Sequence, residues 1–275
     1  MPKVKAISLS KAPPFTDTPN ILLKHTLQKT DIGNNNNKFY ALELQEGDGE
    51  YRVFTHYGRT DLLANNPDYG TKQVRIFGSE SDARAEYESI KSKKEKKGYI
   101  EVELAESSTG TSHQHSTALS SDDEPESTLP EEIQALIRRL YTEARERLEN
   151  TVEVTITASG IRTPLGILTH EQIERGQDIL DQAFTVYQSL SNASKTRQKT
   201  LNAELVYLSN QFFSAIPHRL GRTRDDMQIA ILDTLMEFEE KQETLQIMRD
   251  MLNIVHAGTT VPNRPVAPRA SIGDT

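Results

Sequence analysis

The hydrophobic pattern changes period along the chain. Between Ile21 and Leu104, short runs place apolar and polar side chains at alternate positions, the spacing of half-buried strands. Ile21 to Thr30 sets Leu23, His25, Leu27 and Lys29 on one face and Lys24, Thr26 and Gln28 on the other. Asp31-Ile32-Gly33 and Asn34 to Asn37 read as a turn, because Gly and Asn tolerate positive φ. Phe39 to Leu44 and Glu50 to Tyr57 are the next strands, joined by the hairpin signal Gly47-Asp48-Gly49. Lys72 to Phe77 is a fourth. The spacing then becomes helical: Ser79 opens a Ser-x-x-Asp cap, Ala83, Tyr87 and Ile90 share a face, and Gly98 stops the helix before a closing strand over Tyr99 to Leu104.

From Thr128 the period stays near 3.6. Thr128-Leu129-Pro130-Glu131 and Thr169-His170-Glu171-Gln172 are capping boxes. Apolar stripes follow at Ile133, Leu136, Ile137 and Leu140, at Ile173, Ile179, Leu180, Ala183, Phe184 and Tyr187, and at Leu201, Leu205, Leu208, Phe212 and Ile216, the last ended by Pro217. Asp225 or Asp226 caps a fourth helix carrying Ile229, Leu232, Leu235 and Met236, and Leu245, Met248, Met251, Leu252 and Val255 continue the pattern. Residues 151–160 interrupt it with a strand-like alternation. The expected fold class is α+β: a small antiparallel sheet with one helix over 21–104, then a separate all-α helical bundle over 128–257. Residues 1–20 are expected to form a flexible arm, 105–127 a Ser/Thr-rich acidic linker too poor in apolar residues to offset ordering entropy, and 258–275 a proline-rich disordered tail.

Charge is unevenly spread. The chain of 275 residues is −8 overall, made up of +1 over 1–104, −5 over 105–128 and −4 over 129–275. An acidic whole opposes indiscriminate coating of nucleic acid but leaves room for a basic patch on the first portion. No run reaches the ~20 apolar residues of a membrane span, and the positive start Met1-Pro2-Lys3-Val4-Lys5 has no apolar stretch after it, so neither a membrane partner nor export is expected. The absence of cysteine removes disulfides, thiolate metal sites and a cysteine nucleophile, and fits an intracellular protein. His113-Gln114-His115 lacks a second ligand pair and makes a poor metal site. Phosphate-loop, Gly-x-Ser-x-Gly and His-Glu-x-x-His signatures are absent.

Two sets of motifs carry a resemblance. Phe39 to Leu44, then Tyr51 to Arg59, then the helix from Ala83 to Lys97 and Lys97-Gly98-Tyr99 resemble the WGR domain, named for a Trp-Gly-Arg triplet whose place here is taken by Tyr57-Gly58-Arg59. The opening Leu129 to Ile137, the turn Pro164-Leu165-Gly166-Ile167-Leu168-Thr169, the run Asn210 to His218 and the stretch Met227 to Leu235 resemble, in order, the regulatory helical domain of poly(ADP-ribose) polymerases. The resemblance implies a DNA-end sensor followed by a bundle that gates an NAD-consuming catalytic domain. It implies that Tyr57 and Arg59 contact DNA ends or breaks: an aromatic face supports sequence-tolerant stacking, and a guanidinium offers several donors to phosphate. That role fails if Arg59 is locked in an ion pair and turned away from open solvent.

Lys91, Lys93, Lys94, Lys96 and Lys97 have two readings, a solvated helix end favoured by the dipole or a set of phosphate contacts, for which Lys94 and Lys97 are the candidates. The family's catalytic histidine, tyrosine and glutamate are not found in these residues, so no cofactor is expected in this chain, with NAD expected only on a catalytic partner in trans or an extension. Two alternatives are an NAD-dependent ADP-ribosyltransferase that continues beyond Thr275 and a non-catalytic protein-binding adaptor. The adaptor predicts no salt-dependent DNA affinity.

Overall fold

The computed structural model describes residues 4–63, 65–105, 131–157, 160–221, 223 and 230–256. Its first sheet contains β1 (Ile7–Ser8), β2 (Asn20–Asp31), β3 (Asn36–Gly47), β4 (Glu50–Arg59), β5 (Thr71–Phe77) and β6 (Ile100–Glu101). All pairings are antiparallel, in the order β1-β5-β4-β3-β2-β6. A short helix, α1 (Thr60–Leu63), follows β4. The longer α2 (Glu80–Glu95) covers one face, where Ala83, Tyr87 and Ile90 close a core with Leu27, Tyr40, Leu42, Leu44 and Val53. Ser79 caps α2 as expected, its hydroxyl accepting from the Asp82 N–H at 3.3 Å.

The sheet is larger than the sequence suggests, because the first twenty residues do not form a loose arm throughout. Ile7 pairs with Val74 on the outer edge of β5. Farther along, Arg52 is only 4% exposed and needs partners for its charge. The Pro13 carbonyl accepts from its Nη1 at 2.7 Å, and the Phe15 ring lies 3.6 Å from its guanidinium carbon. A buried cation thus holds the arm against the sheet.

The second portion is not a separate all-α bundle. Its helices are α3 (Glu131–Thr151), α4 (His170–Leu190), α5 (Lys195–Ala215) and α6 (Leu235–His256). Between α3 and α4 the strand-like 151–160 segment and its successors form β8 (Thr155–Thr157), β9 (Gly160–Thr163) and β10 (Gly166–Leu168). A further strand, β7 (Leu104–Ala105), completes this sheet in the order β7-β10-β9-β8. The expected single strand over Tyr99 to Leu104 is therefore two strands in different sheets, with Val102 and Glu103 crossing between them. Gly166 makes room for the crossing: a Cβ there would stand 3.1 Å from the Leu104 Cβ.

Thr169 caps α4 through the Gln172 N–H at 3.1 Å, but the Gln172 side chain does not close the capping box. It turns to the crossing segment, accepting from the Glu103 N–H at 2.9 Å and donating to the Ala215 carbonyl at 2.8 Å. The capping box that does close is at Thr234: its hydroxyl accepts from the Glu237 N–H, and the Glu237 carboxylate accepts from the Thr234 N–H at 2.9 Å. Leu245, Met248, Met251 and Leu252 on α6 are buried, whereas Leu235 and Met236 are exposed. The helix expected from Asp225 through Met236 is not continuous, since residues 230–234 are not helical and α6 starts at Leu235; its Asp225 or Asp226 cap, the Thr128 cap, the linker beyond Ala105 and the 258–275 tail lie outside the described residues.

Candidate nucleic-acid interface

Antiparallel register sets two adjacent rows on the α2 face of the sheet. Leu27, Tyr40 and Tyr57 stand opposite one another across β2, β3 and β4. Two residues on, Lys29, Lys38 and Arg59 do the same. Like charges directly opposite destabilise a sheet, so this second row is a local electrostatic cost. The C-terminal end of α2 overhangs both rows.

A glycine-dependent cap shapes that overhang. Gly98 has φ +82°, and the chain reverses through Gly98 N–H to the Glu95 carbonyl at 2.9 Å and Tyr99 N–H to the Lys94 carbonyl at 3.2 Å. This is the Schellman arrangement, which folds the second residue past the cap back over the last turn. Here it brings Tyr99 against Lys94. The Lys94 ammonium lies 3.8 Å from the Tyr40 ring centroid, 5.2 Å from Tyr99 and 5.6 Å from Tyr57. Tyr57 in turn stacks on Tyr40, centroids 5.3 Å apart and planes 13° apart. Partial burial, followed by the charges of Lys97 and Lys38, pushes the Lys94 amine down to about 8. Burial raises the Tyr40 and Tyr99 hydroxyls.

The structure therefore brings Tyr57, Arg59, Lys94 and Lys97 to one corner and adds Lys29 and Lys38, which the sequence reading did not select. Counting in register would have found both: the Asn-rich turn sets Lys29 opposite Lys38, and the Gly47-Asp48-Gly49 turn sets Lys38 opposite Arg59. Lys29 also donates to the Lys97 carbonyl at 2.9 Å, placing a cation at the negative end of α2.

Arg59 is ion-paired but keeps part of its side chain open to solvent. Its Nε donates to Asp61 Oδ1 at 3.0 Å and its Nη1 to the Asn35 carbonyl at 3.1 Å, with 28% of the side chain exposed. The guanidinium is thus fixed on one edge by an ion pair, and Nη2 makes no hydrogen bond among the described residues. Gly58, on the opposite face, holds the strand close to its neighbour: a Cβ there would come within 3.0 Å of the Tyr69 ring and 3.3 Å of the Gly70 Cα.

The same hairpin reaches the second portion. Ile32, at its tip, is fully buried in the core formed by Leu205, Phe212, Phe213, Ile216 and their neighbours. Its N–H donates to Asn210 Oδ1 at 2.8 Å, and the Thr30 N–H donates to Ser214 Oγ at 2.7 Å. Only Thr30 and Asp31 separate Lys29 from Ile32, at the end of β2.

Comparison with known proteins agrees with this division. Residues 23–106 match the WGR domain, and residues 127–258 match the poly(ADP-ribose) polymerase regulatory domain. The chain is 24% identical over 238 residues to Poly [ADP-ribose] polymerase 2-A of Oryza sativa subsp. japonica, covering 82% of this chain and 34% of that protein. It is 26% identical over 242 residues to Protein mono-ADP-ribosyltransferase PARP3 of Mus musculus, covering 80% and 43%. The chain spans less than half the length of these curated relatives.

Proposed function

We propose, for a chain that resembles the poly(ADP-ribose) polymerases in a WGR domain joined to their regulatory domain, that it couples the binding of a DNA end to the state of its helical portion. The observation that carries this reading is the β2–β3 hairpin. It bears Lys29 and Lys38 opposite each other on one row and plugs Ile32 into the helical core. A phosphate held by Lys29, Lys38 and Arg59 pulls on the strand ends that position Ile32. Arg59 acts as a fixed fork: Asp61 orients it, so little side-chain entropy is lost when a phosphate docks on its open edge. Tyr57 supplies the aromatic neighbour, and Lys94 and Lys97 add positive charge above it.

The helical portion then serves as the gate of an ADP-ribosyltransferase catalytic domain, with NAD as that domain's cofactor. Local loosening of a helical core completed by a borrowed side chain is a physically small step, because removing Ile32 opens a cavity and frees two polar side chains at once.

The test is binding of a 5′-phosphorylated duplex end to the full chain at low salt, read by fluorescence anisotropy. Arg59→Ala weakens binding by about tenfold or more, and Lys38→Ala lowers the slope of log affinity against log salt by about one. Because Arg59 also ties Asp61 to Asn35, thermal unfolding of the variant is measured alongside. Unchanged affinity in a folded Arg59→Ala chain rejects the assignment.

A further inference from the structure

The box around Lys94 presents a chemical oddity. Three tyrosine rings surround one ammonium, no carboxylate pairs with it among the described residues, and the charges that act on it, Lys97 and Lys38, are both positive. We propose that Lys94 is an exchangeable occupant of this box: when a nucleic-acid phosphate settles on the Lys29–Lys38–Arg59 row, the Lys94 side chain leaves the rings for a phosphate oxygen, and binding takes up a proton from solvent.

The inference rests on the nucleic-acid reading above and adds to it a linkage between DNA binding and pH. The groups that face Lys94 come from each packed element. β2 presents Lys29, β3 presents Lys38 and Tyr40, β4 presents Tyr57 and Arg59, and the turn after α2 presents Lys97 and Tyr99. Farther under Tyr40, Arg75 of β5 is paired with Glu86 of α2. The acids near the row, Asp31 and Asp61, are already engaged by Lys29 and Arg59. Nothing in this set stabilises the charged amine except the ring faces, and burial works against it, which holds the amine near pH 8.

An arriving phosphate reverses that balance. It cancels the potential of Lys38 and Lys97 and offers a charge-assisted hydrogen bond that the rings cannot match. The proton gained on Nζ is the whole chemical change; no covalent bond forms or breaks. The sign follows directly. The amine titrates near 8 in the free chain and at or above its ordinary range when paired with phosphate. Binding is then strongest below that point and weakens as pH rises through it.

The decisive experiment is calorimetric titration of the full chain with a 5′-phosphorylated blunt duplex at pH 8, in two non-phosphate buffers of different ionisation enthalpy. The wild-type chain takes up about half a proton per duplex end, and its affinity falls by about tenfold between pH 7 and pH 9. Lys94→Arg, whose guanidinium stays charged, binds with that uptake abolished and that pH dependence flattened. Carbon-13 NMR of the lysine Cε positions in the free chain supplies a second readout: one resonance titrates near pH 8 and is missing from Lys94→Arg. Proton uptake that survives Lys94→Arg, or a Lys94 resonance that titrates above pH 10, overturns the inference while leaving DNA binding in place. A chain that binds no duplex at any pH overturns the nucleic-acid reading and this inference together.

Discussion

The two portions of the molecule close their cores in opposite ways. The six-stranded sheet and α2 bury Leu27, Leu42, Leu44, Val53 and Tyr87 among themselves, and among the described residues no side chain beyond Tyr99 joins that core. The helical portion is incomplete alone. Its core includes Ile32 from the β2–β3 hairpin, and Ile100 and Leu104 pack against it. The first portion is therefore a self-sufficient platform, whereas the second depends on that platform for a core residue, a strand and several hydrogen bonds. Such asymmetry lets a binding event on the sheet alter the helices without endangering the sheet itself.

The largest expected effect comes from removing the borrowed residue. Ile32→Ala should destabilise the helical portion by about 2–5 kcal/mol, the range for truncating a fully buried aliphatic side chain. Hydrogen exchange resolves where the loss falls: amides of α4 and α5 lose protection, and those of Leu42 and Val53 keep theirs. Equal loss in both portions would show one shared cooperative unit and erase the comparison.

Acid separates the two next. His218 is fully buried, its Nδ1 placed 2.8 Å from the Ile216 carbonyl, an assignment that makes Nδ1–H the donor. Among the described residues Nε2 is buried without a hydrogen-bond partner, and the Phe213 ring stands edge-on at 4.9 Å. Burial, reinforced by the charge of Lys241, pushes this imidazole down to about 3. An unfolded histidine titrates near 6.5, so below that pH the unfolded chain binds a proton that the folded chain refuses. Stability falls as pH drops through this window, by about 2 kcal/mol from pH 7 to pH 5. His56 in the sheet is lowered in the same direction, chiefly by partial burial, so the sheet shares some acid sensitivity. Urea denaturation of His218→Gln at both pH values isolates the helical share: that variant loses most of the pH dependence if the buried imidazole is its source.

How much of this asymmetry is written in the sequence depends on how local its cause is. The β2–β3–β4 alternation, the Ser79 and Thr169 caps and the Gly98 stop are decided by neighbours within a few positions, and all are legible. The strand-like 151–160 segment is also legible, against the helical period around it. Ile32 is not, because one apolar residue between Asp31 and Gly33 in an Asn-rich stretch has the composition of a turn, and only the distant face of α5 makes it a core residue. The split of Tyr99 to Leu104 between two sheets is hidden for the same reason: six residues of alternating pattern look alike whether they pair once or twice. The corner of Tyr57, Arg59, Lys94 and Lys97 was legible as a set of residues, but the Asp61 pairing was not, since Asp61 lies past the end of β4 and the strand pattern does not say where its carboxylate goes. A short helix at Thr60 turns it back.

The smallest effect tests the polar half of the junction. Asn210 sits on the last turns of α5, partly buried, and its Oδ1 accepts the Ile32 N–H at 2.8 Å. Asn210→Ala removes that acceptor while leaving the Ile32 side chain in its socket. Because the site is only partly buried, water can reach the freed N–H, and the cost is about 0.5–1.5 kcal/mol rather than the larger penalty of a sealed donor. Ser214 offers the matched control: its hydroxyl accepts from the Thr30 N–H at 2.7 Å but is almost fully buried, so Ser214→Ala strands a donor that water does not reach and should cost more. The comparison of the two portions sharpens if both variants lower protection of α5 amides, in that order, and leave β3 and β4 unchanged. A loss confined to the hairpin would instead mean that the helices hold the sheet's tip in place and that the dependence runs the other way.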